Sequence, residues 1–249
     1  MYTRAEVYSP LQNTAVWLAA WLYGAESTDE TVSAFADLGG RHSYGGQPLS
    51  PLLYDARTHA DLDSPEPVLR LVLWGPGQAP GLHAHTPAAA ALGPAGAIVL
   101  KEADDRFHVL VPSYGAGVEW RWFEEDTRPP EPAWLSPGEA DALLAGATRE
   151  AAVLIEAAGG TRADLPNPRL AVGSLADFYD TPGLPRGVTP RAAKLFSRAD
   201  RVAAIVETVT DRLGDHTFDP QLNALWRHIR TARMVGVAEA VAEYRRQWR

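Results

Sequence analysis

Residues 97–123 read AIVLKEADDRFHVLVPSYGAGVEWRWF, and this stretch decides the class of the fold. Apolar and β-branched residues are concentrated in three short segments, each separated from the next by turn-forming residues. The two separators, 102–105 and 112–117, are short enough for hairpins. We therefore predict an antiparallel meander of three strands, at 97–101, 106–111 and 118–123.

The chain before the meander combines two helices with one further strand. Residues 11–23 are apolar on nearly every side, which is typical of a buried helix. A capping box of Ser27 and Glu30 starts a second helix, which a glycine pair ends. Residues 41–67 are rich in Pro and Gly and predict a mostly irregular connection. Residues 68–74 predict a strand, and the connection after it is long enough for a helical crossover and parallel pairing.

After residue 130 the pattern becomes helical. A proline-punctuated connection, 161–188, interrupts it. Apolar spacings of three and four residues predict helices at 136–158, 189–214, 219–233 and 237–248. The predicted fold is α+β: a small, mostly antiparallel sheet of about four strands with N-terminal helices, followed by a helical C-terminal half. We expect an α+β subdomain over 1–130 and a helical subdomain over 131–249, and a single integrated domain is the open alternative.

Composition and charge exclude several classes of site and partner. The chain has 249 residues, a net charge of −8 and no cysteine, which removes disulfides, thiolate metal sites and cysteine nucleophiles. From residue 186 onward there are 12 Lys and Arg against 7 Asp and Glu, so the residues before it carry the acidic excess. The longest apolar run, 15–23, is far shorter than the roughly 20 residues of a membrane-spanning helix. We expect a cytoplasmic protein that binds neither nucleic acid nor membranes.

Four segments resemble a known family. They are LRLVLWGPG at 69–77, the stretch 95–99, the stretch 108–112, and 184–207 with its LPxGxTPRA and AIVE elements. The chain is similar in these segments to a family of conserved actinobacterial proteins of unknown function, over residues 65 to the end. The resemblance implies a soluble intracellular protein and assigns no activity, cofactor or catalytic residue.

The spacing Gly77-x5-His83-x-His85 suggests a metal site. It resembles the first metal-binding motif of cupin barrels, and two histidines two apart on a strand point the same way and can share a metal. The glutamate of that motif is missing, so only His108 or His59 can complete the set. The pattern predicts a metal site at His83, His85 and His108. The alternative, which we favour, is a solvent-exposed loop that carries two histidines.

A serine beside a histidine in residues 40–45, GRHSYG, raises the question of a nucleophile. The spacing differs from the G-x-S-x-G of nucleophile elbows. Adjacent residues on an extended chain also point apart, so His42 is badly placed to act as the base for Ser43. We therefore expect a glycine-rich loop here.

Two sets of side chains are candidates for an interaction surface. Period-2 alternation places Trp120 and Trp122 on one face of the last strand, where they either cover the core, which we favour, or form an exposed partner-binding patch. Arg227, Arg230 and Arg233 share one side of a helix. We expect these arginines to serve packing or protein contact, because the acidic remainder of the chain repels phosphates.

These patterns contain no coherent catalytic signature. The leading hypothesis is a non-enzymatic binding or protein-interaction module, with a protein partner or a second copy of the chain as its target. The alternative is a metal- or small-ligand-dependent enzyme that uses the histidine cluster. The sequence does not assign a cofactor in either case.

Overall fold

The computed structural model describes residues 10–132, 134–157, 183–213 and 219–248. Within these ranges the chain forms a six-stranded, mostly antiparallel sheet packed against helices, which confirms the α+β class. The strands are β1 (His42–Tyr44), β2 (Gln47–Pro48), β3 (Leu69–Val72), β4 (Ala97–Lys101), β5 (Phe107–Tyr114) and β6 (Val118–Glu125). Their order across the sheet is β2-β1-β6-β5-β4-β3.

The helices of the described residues lie before, between and after these strands. They are α1 (Pro10–Leu22), α2 (Thr28–Gly39), α3 (Ser50–His59), α4 (Pro87–Ala91), α5 (Pro137–Ala157), α6 (Pro190–Leu213) and α7 (Asp219–Trp248). Helix α1 is buried on nearly every side, as its sequence predicts. The Ser27 hydroxyl accepts the backbone N–H of Glu30 and caps α2, as the capping box predicts.

The meander is confirmed, but the direction of the strand before it is not. β4, β5 and β6 pair antiparallel in sequence order. β3 also pairs antiparallel with β4, so the expectation of a parallel strand is wrong. In the described connection between these two strands the helix is α4, whose five residues span only about 7.5 Å and cannot carry the chain back along the sheet.

Residues 41–67 are more ordered than their composition predicts. They contain β1, β2 and α3, so the expectation of a mostly irregular connection is wrong. β1 has three residues and is held by parallel pairing with β6, a long-range contact that leaves no periodic signal in so short a segment. Helix α3 has proline in its first turn, where proline is compatible with a helix, and it buries Leu52, Leu53 and Ala56.

The C-terminal residues form one long helix where two were predicted. Helix α7 runs without interruption through 30 residues, so the predicted break between 233 and 237 is absent. Gly236 lies within this stretch, but glycine only weakens a helix, and here the space above it is filled by the ring of Phe196 from α6. Most of the proline-punctuated connection, 161–188, lies outside the described residues.

The main core lies between one face of the sheet and the helices. It joins Leu100, Leu110 and Trp120 of the sheet to Phe196 of α6 and Val237 of α7. A smaller core covers the opposite face, and a third lies among α5, α6 and α7. Residues of both predicted subdomains therefore close the main core, while the division into 1–130 and 131–249 stays a prediction.

Candidate functional site

Two histidines and a glutamate meet at one end of the main-core face of the sheet. His59 ends helix α3, Glu102 follows β4, and His108 is the second residue of β5. Glu102 Oε1 lies 3.0 Å from His59 Nδ1, and its Oε2 lies 2.8 Å from His108 Nε2. The imidazole rings of His59 and His108 lie 4.4 Å apart between centroids. We call His59, Glu102 and His108 the histidine cluster.

A tryptophan determines which nitrogen of His108 carries the proton. The indole N–H of Trp122 donates to His108 Nδ1 at 2.9 Å, so Nδ1 must accept. The ring proton of neutral His108 is therefore on Nε2, which donates to Glu102. Glu102 also accepts from the Arg106 guanidinium at 3.1 Å.

The carboxyl of Glu102 is held in its ionised form. Burial alone would raise the pKa of Glu102. The hydrogen bonds from His59 and His108, and the charge of Arg106, outweigh burial and lower this pKa below its ordinary value. An ionised Glu102 only accepts hydrogen bonds, so His59 donates to it through Nδ1–H. In neutral His59 the remaining nitrogen, Nε2, then carries a lone pair.

The ligand atoms of the histidine cluster lie within 4.8 Å of one another, a spacing that can hold a metal ion. The hydrogen bonds do not fit one, because His108 would bind a metal through Nε2. Its ring proton would then move to Nδ1 and point at the N–H of Trp122. We therefore interpret the cluster as a hydrogen-bonded network.

The structure brings one of the predicted metal ligands to a carboxylate and leaves the other two elsewhere. Among the described residues, the histidine cluster is the one group of at least three potential ligands, and it contains His108 but neither His83 nor His85. His83 donates from Nε2 to the backbone carbonyl of Arg128 at 2.9 Å. His85 is exposed, with a φ of 69°. Metal binding by His83, His85 and His108 stays a prediction.

The two tryptophans of β6 differ in exposure. Trp120 is only 2% exposed and donates its indole N–H to Nδ1 of His42 at 3.0 Å. Trp122 is half-buried, and its ring lies 5.9 Å from that of His59 and 6.4 Å from that of Tyr44. Trp120 is therefore part of the core, and only Trp122 of this pair presents part of its ring at the surface.

Tyr44, Trp122 and His59 form a contiguous row of half-buried rings, which we call the ring shelf. Two of these rings are hydrogen-bonded through the polar atom that faces the protein. Trp122 donates to His108, and His59 donates to Glu102. Burial raises the pKa of Tyr44, and the negative charge of Asp55 raises it further, so this hydroxyl stays protonated.

Ser43 and His42 point to opposite sides of β1, as their adjacency predicts. The ring of His42 packs 5.2 Å from that of Phe35, while the Ser43 hydroxyl is bonded to Glu119 of β6. Ser43 and Glu119 line a shallow cavity of about 520 Å³ at the end of the sheet, together with Arg41 and Tyr114. His42 therefore does not serve Ser43 as a base.

The basic residues of α7 are largely used within the molecule. Arg233 is 3% exposed and bonds the side chains of Gln12 and Asp200, each at 2.7 Å. Arg230 donates to the backbone carbonyl of Pro76 at 2.7 Å. Arg227 is exposed and lies beside His228. These intramolecular contacts agree with the packing role that we expect for the three arginines.

Sequence reasoning missed Glu102 and gave His59 only as a substitute ligand. Glu102 lies in a hairpin separator, where acidic residues are common and carry no functional signal. His59 lies in the stretch that was expected to be irregular. The register that sets Leu100 opposite His108 also brings Glu102 near that histidine, and only the structure gives this register.

The described residues include no helix with the length and apolar character needed to cross a bilayer. Two family models cover most of the chain. One, described as the N-terminal domain of Rv1486c-like protein, matches residues 12–134, and one described as its C-terminal domain matches residues 138–234. No curated protein and no solved structure gives a significant match. The family models confirm the resemblance inferred from the sequence.

Proposed function

This chain belongs to the Rv1486c-like family, whose members have no known function, so we infer its role from its own side chains. We propose that it is a binding protein that holds a protein partner on the ring shelf. A cytoplasmic location is part of this proposal. The observation that carries it is the pair of hydrogen bonds that hold Trp122 and His59 in place, with the ring of Tyr44 beside Trp122.

Rings that hydrogen bonds already hold in one orientation lower the entropic cost of binding. Association immobilises side chains at the surface, and each flexible one costs roughly 0.5–1.5 kcal/mol. Trp122 and His59 are already immobilised by His108 and Glu102, so a partner that covers them avoids much of this cost. Tyr and Trp are also the residue types enriched at the centres of protein interfaces.

Intramolecular contacts of the arginines support a protein partner over nucleic acid. Two of the three candidate arginines of α7 already bond other parts of the chain, Arg230 at Pro76 and Arg233 at Asp200. Phosphate binding would have to compete with these contacts and with the acidic charge of the chain.

Peptide display tests the ring shelf. A random-peptide library is selected on the wild-type protein alone, and the affinity of each enriched peptide is then measured for the wild type and for the Trp122→Ala variant. We expect enriched peptides whose affinity falls at least tenfold in Trp122→Ala and stays within about twofold in Tyr114→Ala, an exposed ring at the other end of β5. Circular dichroism verifies that both variants fold.

Peptides that bind Trp122→Ala as well as the wild type would reject the proposal. A wild-type dimer that dissociates in Trp122→Ala would also reject it, because it assigns the ring shelf to a second copy.

The same geometry favours a second candidate function, an enzyme that uses the histidine cluster. A carboxylate bonded to one imidazole nitrogen, with the other nitrogen free to take a proton, is the arrangement of a general base. Hydrolysis of p-nitrophenyl acetate tests it. A rate about 100-fold above that of free imidazole, lost in His59→Gln and kept in EDTA, would support this function. A rate equal to that of free imidazole would exclude it.

A further inference from the structure

The free nitrogen of His59 gives the ring shelf a chemical preference. Within the described part of the chain, the hydrogen bond of His59 is made through Nδ1, and Nε2 has no protein partner. The side chain of His59 is 35% exposed, so water satisfies Nε2 in the free protein. A partner that covers the ring shelf removes this water and must replace its hydrogen bond.

The donor and acceptor roles along the network determine what the replacement must be. Trp122 donates to His108, and His108 donates to Glu102. Glu102, as a carboxylate, accepts from His59 as well, so neutral His59 presents an acceptor at Nε2. A buried acceptor left without a donor loses the free energy of the hydrogen bond it made with water. A site built to bond a hydroxyl therefore rejects the analogue that lacks it.

The rings beside Nε2 favour a planar partner over a cation. The ring centroids of Trp122 and Tyr44 lie 6.4 Å apart, and the two rings together offer faces and edges on which a further aromatic ring can pack. The charge of Glu102 is already met by His59, His108 and the Arg106 guanidinium. Arg106 places a positive charge next to the cluster, which disfavours a lysine in the same position.

We infer that the ring shelf selects a tyrosine of the partner, whose ring packs on Trp122 and Tyr44 and whose hydroxyl donates to Nε2 of His59. This inference rests on the proposed function and specifies the partner residue. It makes His59 the residue that determines specificity and Glu102 the residue that sets the tautomer of His59.

Three peptide libraries test the inference, each with one fixed central residue: tyrosine, phenylalanine or lysine. We expect binders from the tyrosine library that depend on Trp122, and we expect each to lose at least tenfold in affinity when its tyrosine is replaced by phenylalanine. Binders from the lysine library that equal them in affinity would overturn the inference.

The Glu102→Gln variant gives a readout that a merely structural role of Glu102 would not produce. The amide oxygen of Gln accepts from Nε2 of His108, and its NH₂ then donates to Nδ1 of His59, which moves the ring proton of His59 to Nε2. Nε2 becomes a donor. We expect this variant to bind peptides with 4-pyridylalanine, a ring that only accepts, at least fivefold better than the wild type does. Long-range ¹H–¹⁵N spectra of the histidine rings should show the same exchange of tautomers.

The outcomes separate this inference from the proposed function. If no library yields peptides that depend on Trp122, the proposed function fails. If peptides depend on Trp122 but tyrosine and phenylalanine bind equally, the ring shelf is a binding site and only the tyrosine inference fails. If Glu102→Gln leaves the tautomer of His59 unchanged, the role given to Glu102 is wrong.

Discussion

Two tryptophans of one strand determine the tautomers of two histidines, one in each of the neighbouring strands. Trp120 donates to His42 of β1, and Trp122, two residues later on the same face of β6, donates to His108 of β5. In both pairs the indole N–H meets Nδ1, so each neutral histidine carries its proton on Nε2. The difference between the pairs is exposure: both residues of the first pair lie in the core, whereas in the second pair His108 is buried and Trp122 is a half-buried ring of the ring shelf.

His42 should make the stability of the protein depend on pH. Burial lowers the pKa of His42 from 6.5 to about 4. Between these pH values the unfolded chain binds a proton at His42 that the folded chain does not, so the free energy of unfolding decreases as the pH falls through this window. We expect a loss of roughly 3 kcal/mol at pH 4 from this residue.

Urea unfolding at pH 7, 5.5 and 4 measures this loss. The control is His42→Gln, which keeps an acceptor for Trp120 but has no titratable group. The wild type should lose more stability than His42→Gln as the pH falls. Parallel pH curves for the two proteins would show that His42 is not buried in its neutral form.

At the scale of the element, packing decides whether a glycine weakens a helix. A Cβ added at Gly236 of α7 would lie 2.3 Å from Cε1 of Phe196, whereas one added at Gly146 of α5 would meet nothing within 4 Å. Replacing glycine by alanine inside a helix otherwise stabilises it by roughly 0.8–1 kcal/mol. The two glycines therefore form a matched pair in which only the tertiary contact differs.

We expect Gly236→Ala to destabilise the protein by about 1–3 kcal/mol, because the ring of Phe196 must move, and Gly146→Ala to stabilise it by up to about 1 kcal/mol. Urea unfolding of both variants measures this difference. A stabilised Gly236→Ala would mean that α6 and α7 are less closely packed around Phe196 than the structure shows.

At the scale of the whole molecule, the C-terminal helices complete the core that the sheet begins. Phe196 of α6 and Tyr244 of α7 belong to the same core as Leu100 and Trp120. The Tyr244 hydroxyl also donates to the backbone carbonyl of Arg186 at 2.9 Å, while the Arg186 side chain pairs with the buried Glu26. A fragment without these helices would expose a large apolar surface of the sheet and of α1.

We therefore expect a fragment of residues 1–135 not to fold on its own. Its ¹H–¹⁵N spectrum should lack dispersion and its thermal unfolding should show no cooperative transition, because the burial supplied by α6 and α7 is missing. The full chain, in contrast, should unfold in one transition by circular dichroism and by tryptophan fluorescence alike. A well-dispersed spectrum of the fragment would support two independent subdomains.

Local patterns predicted the elements whose signal lies within a few residues of the chain. The alternation in 97–123 predicted the β4–β6 meander, and the capping box at Ser27 predicted the start of α2. These succeed because strand alternation and helix capping depend on neighbouring side chains. The α+β class follows from such local signals. The opposite directions of the His42 and Ser43 side chains follow from them as well.

The tertiary structure alone decided the rest. The pairing of β1 with β6, the antiparallel direction of β3 and the continuity of α7 depend on contacts between residues far apart in the chain. The same holds for the histidine cluster, in which His59 and Glu102 are 43 residues apart and meet only once α3 packs on the sheet. A pair of common residue types at that separation has no periodicity or spacing that a single sequence can reveal, because its proximity is set by strand register and helix packing.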